Sequence, residues 1–377
     1  MKVVILKSRA RNSGGLEKTA SRIVDAFLAR GAEVSILTTN GHKSSAPLSG
    51  AHVHAMQTTR LPSFLRIGQF DRTVQKWLRE NRADIVLGMD RNRHQTHIRA
   101  GNGVHSAYLK SRILSEGYLK YAACLVNPLH RKILSLEKAA FENPHLKTIF
   151  ANSHMVRQEI LERFAIDPAK VAVIHNGVEW DEMASDFAVW PEQKLLHCKS
   201  LKLDPARWHL LFIGNGYLRK GLGKLLLAMA HLRRKEIHLS VVGKDSSQGF
   251  YETKAAHLGL GSQVRFFGFQ SDLRPFYQMA DVLAIPSFYD PFANVTIEAL
   301  AMGLFILSSK SNGGSEVLTE QTGVIIDDLC SIESIAASLE QAIRHRKTLV
   351  SALQRRDSVK HLNYPKQMNI LIESCLA

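Results

Sequence analysis

No apolar run in the 377 residues approaches the ~18–20 needed to span a bilayer. Met1 leads straight into the strand-like Lys2–Leu6, without the basic start, apolar stretch and cleavage site of a secretory signal, so none is expected. Cysteine is scarce: Cys124, Cys198, Cys330 and Cys375 are scattered and form no C-x-x-C pair. That excludes a disulfide scaffold or zinc ribbon and suits a reducing compartment. Aromatics make up only 7%, too few to interleave with the cations as stacking platforms for nucleic acid. No G-x-x-x-x-G-K-[ST] loop occurs, which disfavours ATP hydrolysis. The G-x-G at Gly214, which follows a strand-like run, has Arg219 in place of the sixth-position glycine, so hydride chemistry has little support. There is no D-x-D run, and His94 and His97 stand three apart without a carboxylate or cysteine partner, so no catalytic metal is expected.

Acidic residues are also in short supply, and unevenly so. The chain carries 49 Lys+Arg against 34 Asp+Glu, a net charge of +15. Residues 1–180 hold 27 basic against 14 acidic residues, a surplus of +13; the remainder holds 22 against 20. A positive half beside a nearly neutral half points to a polyanionic partner for the first half: nucleic acid, anionic lipid or a phosphorylated glycolipid.

What is present is ordinary globular composition, 45% hydrophobic and 22% charged. The chain is longer than one core of roughly 250–300 residues, so two domains are expected. Lys2–Leu6, a Gly14-Gly15 loop, a helical face of Leu16, Ala20, Ile23, Val24 and Phe27, and then Val34–Thr38 spell β–Gly loop–α–β. Further strands are expected at 53–56, 85–89, 148–152 and 171–175, and helices at 71–81 and 155–164. After a polar stretch at 185–202 the alternation restarts: strands at 210–213, 238–242, 264–267, 282–285 and 305–308. This predicts two doubly wound α/β domains, 1–185 and 186–360, with a closing segment 361–377. Ligands in such sheets sit beyond the carboxyl ends of the strands.

Two stretches that follow strands carry the chemistry. "SFYDPFANVTIEALAMG" at 287–303 sets Asp290 and Glu298 eight residues apart, with Asp290–Asn294 as a loop feeding a helix over 296–302. A helix start offers unpaired N–H groups and positive dipole density. Glu298, one turn in, can accept from a diol. Two acceptors of fixed separation facing a dipole suit a sugar nucleotide. "GNGYLRKG" at 214–221 places Arg219 and Lys220 just before a helix, where two cations and amides suit a diphosphate. In the first half, Asp90 at a strand end and His105 after the Gly101–Gly103 turn are the best candidates for meeting a reacting hydroxyl. The segment 105–138 interleaves apolar residues with Lys110, Arg112, Lys120, Arg131 and Lys132, a pattern compatible with an anionic bilayer surface or with a helix packed on its own domain.

Together, Gly214–Gly221, "VVG" at 241–243, "VRFFGF" at 264–269, the Asp290/Glu298 pair and "NGGSEVL" at 312–318 resemble family 4 glycosyltransferases of the two-domain GT-B type. Within that family the chain looks most like the lipopolysaccharide core glucosyltransferase I group, in its Gly-Gly-Leu loop, its "RAGNGVHSAYL" loop and the basic segment after it. It departs at Thr19, where members can carry an Asp that serves as base, which shifts weight to Asp90 or His105.

The resemblance implies two Rossmann-like domains facing across a cleft and a metal-independent, retaining transfer from a nucleotide sugar, UDP-glucose first, with no cofactor. Arg219 and Lys220 would hold the diphosphate and Glu298 the ribose. Asp290, with Phe292, Ala293, Asn294 and Val295 around it, would orient the sugar, and Gly14 and Gly15 would approach the phosphate. The implied acceptor is a lipopolysaccharide core heptose at the cytoplasmic face of an inner membrane, with 361–377 crossing back to the first domain. Another glycolipid or glycan acceptor, or a non-catalytic polyanion binder, are the alternatives. Nucleic acid is not an expected partner.

Overall fold

The computed structural model describes residues 1–8, 15–39, 50–56 and 62–377, with backbone only at 15–18. Among them the chain forms two compact units, Met1–Asn176 with Pro365–Ala377, and Gly177–Tyr364.

The first unit is built on a seven-stranded parallel sheet of order β3-β2-β1-β4-β5-β6-β7. Its strands are β1 Lys2–Leu6, β2 Glu33–Thr38, β3 His52–Ala55, β4 Ile85–Gly88, β5 His97–Ala100, β6 Thr148–Ala151 and β7 Val171–Val173. Val3, Val4, Ile5 and Leu6 are all buried, as a strand covered by helices on both faces requires. The order reverses between β1 and β4, which pair from Val3↔Ile85 to Leu6↔Gly88. The helix Gly15–Leu28 returns the chain from β1 to β2.

The second unit has a six-stranded parallel sheet of order β10-β9-β8-β11-β12-β13. These are β8 Trp208–Ile213, β9 Ile237–Val242, β10 Val264–Gly268, β11 Val282–Ile285, β12 Phe305–Ser309 and β13 Gly323–Ile326. Successive side chains of β8 alternate between two apolar layers, Leu210 and Phe212 in one, Leu211 and Ile213 in the other. Here the order reverses between β8 and β11.

Several elements differ from expectation. His97 and Arg99 lie on β5, a buried strand that four residues of mixed polarity do not announce. The helix expected at 71–81 begins earlier and spans Ser63–Glu80. The basic segment 105–138 is three helices, His105–Glu116, Tyr118–Val126 and Pro128–Phe141. The division expected at 185/186 falls at Asn176/Gly177. Two bonds tie the chain there to the second unit: Val178 N–H to the Leu362 carbonyl at 2.9 Å, and Tyr364 N–H to the Val178 carbonyl at 3.0 Å. The polar stretch after it folds as helices Ala184–Ala188 and Trp190–Ser200, which bury Trp190 and Cys198. The last helix, Tyr364–Leu376, lies from Pro365 onward in the first unit, where Arg30 bonds Asn369 at 2.8 Å and pairs with Glu373 at 3.5 Å.

Candidate active site

Because β8 and β11 are neighbours, the loops leaving their carboxyl ends run side by side. Gly221 sets how closely they approach. It has φ +78°, and a Cβ there would lie 1.9 Å from the Pro286 carbonyl oxygen, so only glycine fits. Phe288 N–H donates to the Arg219 carbonyl at 2.8 Å, and Arg219 Nη1 donates to the Tyr289 carbonyl at 2.7 Å.

The charges meet at Asp290. Lys220 Nζ lies 2.6 Å from Asp290 Oδ2, and Arg219 Nη1 reaches the same oxygen at 3.1 Å. Lys220 and Asp290 are buried, whereas the Arg219 side chain is about one-third exposed, at 36%. Burial alone would raise the Asp290 pKa, but Lys220 and Arg219 outweigh it and hold the carboxyl below its usual value. The result is one anion between two cations at a strand-end switch point.

Three residues that sequence reasoning did not single out brace this site. Asn312 is fully buried. Its Oδ1 accepts from Ala293 N–H and Gly314 N–H, each at 3.1 Å, and its Nδ2 donates to Thr296 Oγ1 at 3.2 Å and Ser308 Oγ at 3.0 Å. Asp290 N–H donates to the Ser311 carbonyl and Gly313 N–H to the Asp290 carbonyl, both at 2.8 Å. The segment 311–314 is thereby zipped to the Asp290 loop. Asp245, after β9, accepts from Tyr217 N–H at 2.7 Å and from Ser247 N–H at 2.8 Å, bracing the loop that carries Arg219 and Lys220. Tyr277 OH donates to Glu298 Oε2 at 2.7 Å. Asn312 was visible in the sequence as part of "NGGSEVL"; nothing marked Asp245 or Tyr277.

The helix after the loop runs Asn294–Ala301, two residues ahead of the predicted start, and Glu298 is one turn inside it. Phe292 and Ala293 are buried in the apolar layer, with Val295 packed against it. The Ala293 N–H at the start of this helix is held by Asn312 Oδ1.

In the first unit, Asp90 follows β4 at the strand-order reversal. Its Oδ2 accepts from Ser8 N–H at 2.6 Å and Ser8 Oγ–H at 2.8 Å, joining the loop after β1 to the end of β4. His105 opens the helix His105–Glu116 and is buried, with Nε2 3.1 Å from His130 Nδ1. Burial, then the nearby Arg91, His130 and Arg112, push its pKa down to about 3. It is therefore neutral at ordinary pH. The turn before His105 is braced by Arg91, whose Nε pairs with buried Glu137 at 2.9 Å and whose Nη2 donates to the Gly103 carbonyl at 3.2 Å. Gly15 opens the helix Gly15–Leu28, and Gly14 lies outside the described residues.

The fold is shared with known proteins. The family model for Glycosyltransferase Family 4 matches residues 13–182, and that for Glycosyl transferases group 1 matches residues 196–356. The uncharacterized glycosyltransferase MJ1607 of Methanocaldococcus jannaschii is 25% identical over 328 residues, 83% of this chain and 80% of its own. Lipopolysaccharide glucosyltransferase WaaG of Escherichia coli is 23% identical over 343 residues, 88% of this chain and 86% of its own. Among solved structures, WaaG superposes with a TM-score of 0.78 at 20% identity, covering 98% of this chain and 99% of that one. Anabaena Alr3699/HepE in complex with UDP and glucose superposes at 0.73 with 15% identity, covering 100% of both. With two Rossmann-like parallel sheets and both domain families matched along its length, the chain is a glycosyltransferase of the GT-B type, built from a family 4 domain and a group 1 domain.

Proposed function

We propose that this enzyme transfers a hexose, glucose from UDP-glucose, with retention of configuration onto a lipopolysaccharide core heptose. The observation that carries the donor side is the convergence of Arg219, Lys220 and Asp290 where β8 and β11 end. Breaking the sugar–diphosphate bond places negative charge on the departing diphosphate. Preorganised cations and amides stabilise charge that develops in the transition state more than charge already present. In this reading Lys220 and Arg219 take that charge without a metal or cofactor, the start of helix Asn294–Ala301 adds its dipole, Asp290 orients the sugar and Glu298 accepts from the ribose. Similarity to WaaG over most of both chains supports the acceptor class, and the UDP and glucose bound to HepE support the donor class. Asp90 is the proposed acceptor-side group.

The basic first unit would face an anionic membrane at the cytoplasmic side. No helix among the described residues is long and apolar enough to cross one. Supporting surface contact, Tyr118, Leu119, Leu125 and Val126 are exposed on and around a helix flanked by Lys110, Lys120, Arg131 and Lys132. A non-catalytic polyanion binder is not favoured, since Lys220 is buried against Asp290 rather than displayed.

The test is calorimetric binding of a panel of sugar nucleotides, followed by transfer to lipid A–core acceptors. UDP-glucose should bind and donate. Transfer to a soluble glucan but not to the lipid acceptor would overturn the acceptor assignment.

A further inference from the structure

A glutamate that reads a sugar diol must hold its carboxylate in one orientation, yet its long side chain loses up to ~2 kcal/mol of rotamer freedom when fixed. Tyr277 contributes to that constraint. It comes from the neighbouring helix Arg274–Met279, is buried in the apolar layer beside β11, and donates its hydroxyl to Glu298 Oε2 at 2.7 Å. The tyrosine is itself anchored from behind. Lys347 Nζ donates to the Tyr277 carbonyl at 3.0 Å while stacking over the Trp190 ring at 4.3 Å.

Burial, and then the charge of Glu298, push the phenol pKa well above its ordinary value, so the hydroxyl keeps its proton and remains a donor at any working pH. An ionised carboxylate offers about four acceptor sites. The phenol uses one of them, which fixes the plane of the carboxylate.

We propose that Tyr277 is the positioning residue for ribose recognition: its hydroxyl sets the Glu298 carboxylate, and preference for a nucleotide with intact ribose hydroxyls depends on it. This rests on the assignment of Glu298 to the ribose made above, and the test separates the two. A neutral donor bonded to a carboxylate has the strength of a charge-assisted bond, so its removal loosens the recogniser without opening a cavity.

The experiment is calorimetric titration of UDP and of 2′,3′-dideoxy-UDP into the full-length wild type, Tyr277→Phe and Glu298→Gln. The wild type should prefer UDP. Tyr277→Phe should lose roughly tenfold in affinity for UDP, the scale of one charge-assisted bond, with dideoxy-UDP binding unchanged. Donor KM should rise by a similar factor while kcat stays within about twofold. Replacing Tyr277 by 4-aminophenylalanine, which keeps a donor of similar reach, should restore the preference. A merely structural role would weaken both nucleotides equally. If Glu298→Gln abolishes the preference and Tyr277→Phe retains it, the positioning role is wrong. If Glu298→Gln itself retains the preference, the ribose assignment is wrong, and the proposal falls with it.

Discussion

Asp290 shares one oxygen between Lys220 Nζ at 2.6 Å and Arg219 Nη1 at 3.1 Å. The two cations assigned to the diphosphate are therefore already partly neutralised by the carboxylate assigned to the sugar. Asp290→Asn tests that coupling. Lys220 is buried, and removing its anion leaves an uncompensated charge, which costs about 3–5 kcal/mol. The unfolding midpoint should fall without ligand. UDP then supplies the missing negative charge, so the rise in midpoint on adding UDP should exceed that of the wild type. Transfer should drop. An unchanged midpoint would mean that the buried pair contributes nothing net.

Asn312 holds two loops together through four buried hydrogen bonds. Asn312→Ala strands the Ala293 and Gly314 amides without a partner, at about 1–3 kcal/mol for each buried group. Stability should fall by several kcal/mol, on the order of 3. Below the lowered midpoint, donor KM should rise more than kcat falls, because the Asp290 loop is displaced while the cations remain. Donor KM at the wild-type value in folded protein would show that the zipper does not shape the site.

Acid should weaken the fold before it reaches the carboxylates. The folded-state pKa values of His97, His105 and His238 are lowered from 6.5 to about 4, 3 and 4, chiefly by burial. Between those values and 6.5 the unfolded chain binds more protons than the folded one, so stability is fully present above pH 6.5 and is lost as pH falls toward 4. Thermal unfolding from pH 7 to 4.5 should show a steadily falling midpoint. His238→Leu should flatten the slope. A flat wild-type profile would contradict the burial of neutral imidazoles.

Membrane contact predicts that Leu119→Asp with Val126→Asp abolishes sedimentation with anionic vesicles, and that wild-type attachment weakens as salt screens the cations. Leu119 and Val126 are 87% and 74% exposed, so folding should be unaffected. Attachment indifferent to both charge and salt would remove the lipid surface from the account.

The strand ends that carry the proposed site were legible because buried parallel strands are continuous apolar runs, and Gly, Pro and charge punctuate the turns after them. Arg219, Lys220, Asp290 and Glu298 fall out of that grammar. β5 did not, since its His97 and Arg99 are buried by tertiary packing that no local pattern encodes. The bonding roles of Asn312 and Tyr277 were hidden for a related reason. Asn312 acts on Ala293, nineteen residues away, and Tyr277 on Glu298, twenty-one away, and only the sheet order brings them together. The burial of His105 among Arg91, His130 and Arg112 was hidden likewise, because those neighbours come from separate parts of the chain.

The claim on which the donor site rests is that Lys220 meets the diphosphate. Calorimetric titration of UDP and of uridine into the wild type and into Lys220→Met tests it directly. The account predicts that the variant loses about 1.5–3 kcal/mol toward UDP, the range for hydrogen bonds to charged groups, and nothing toward uridine. Equal affinity of the two proteins for UDP, with both folded, would contradict it.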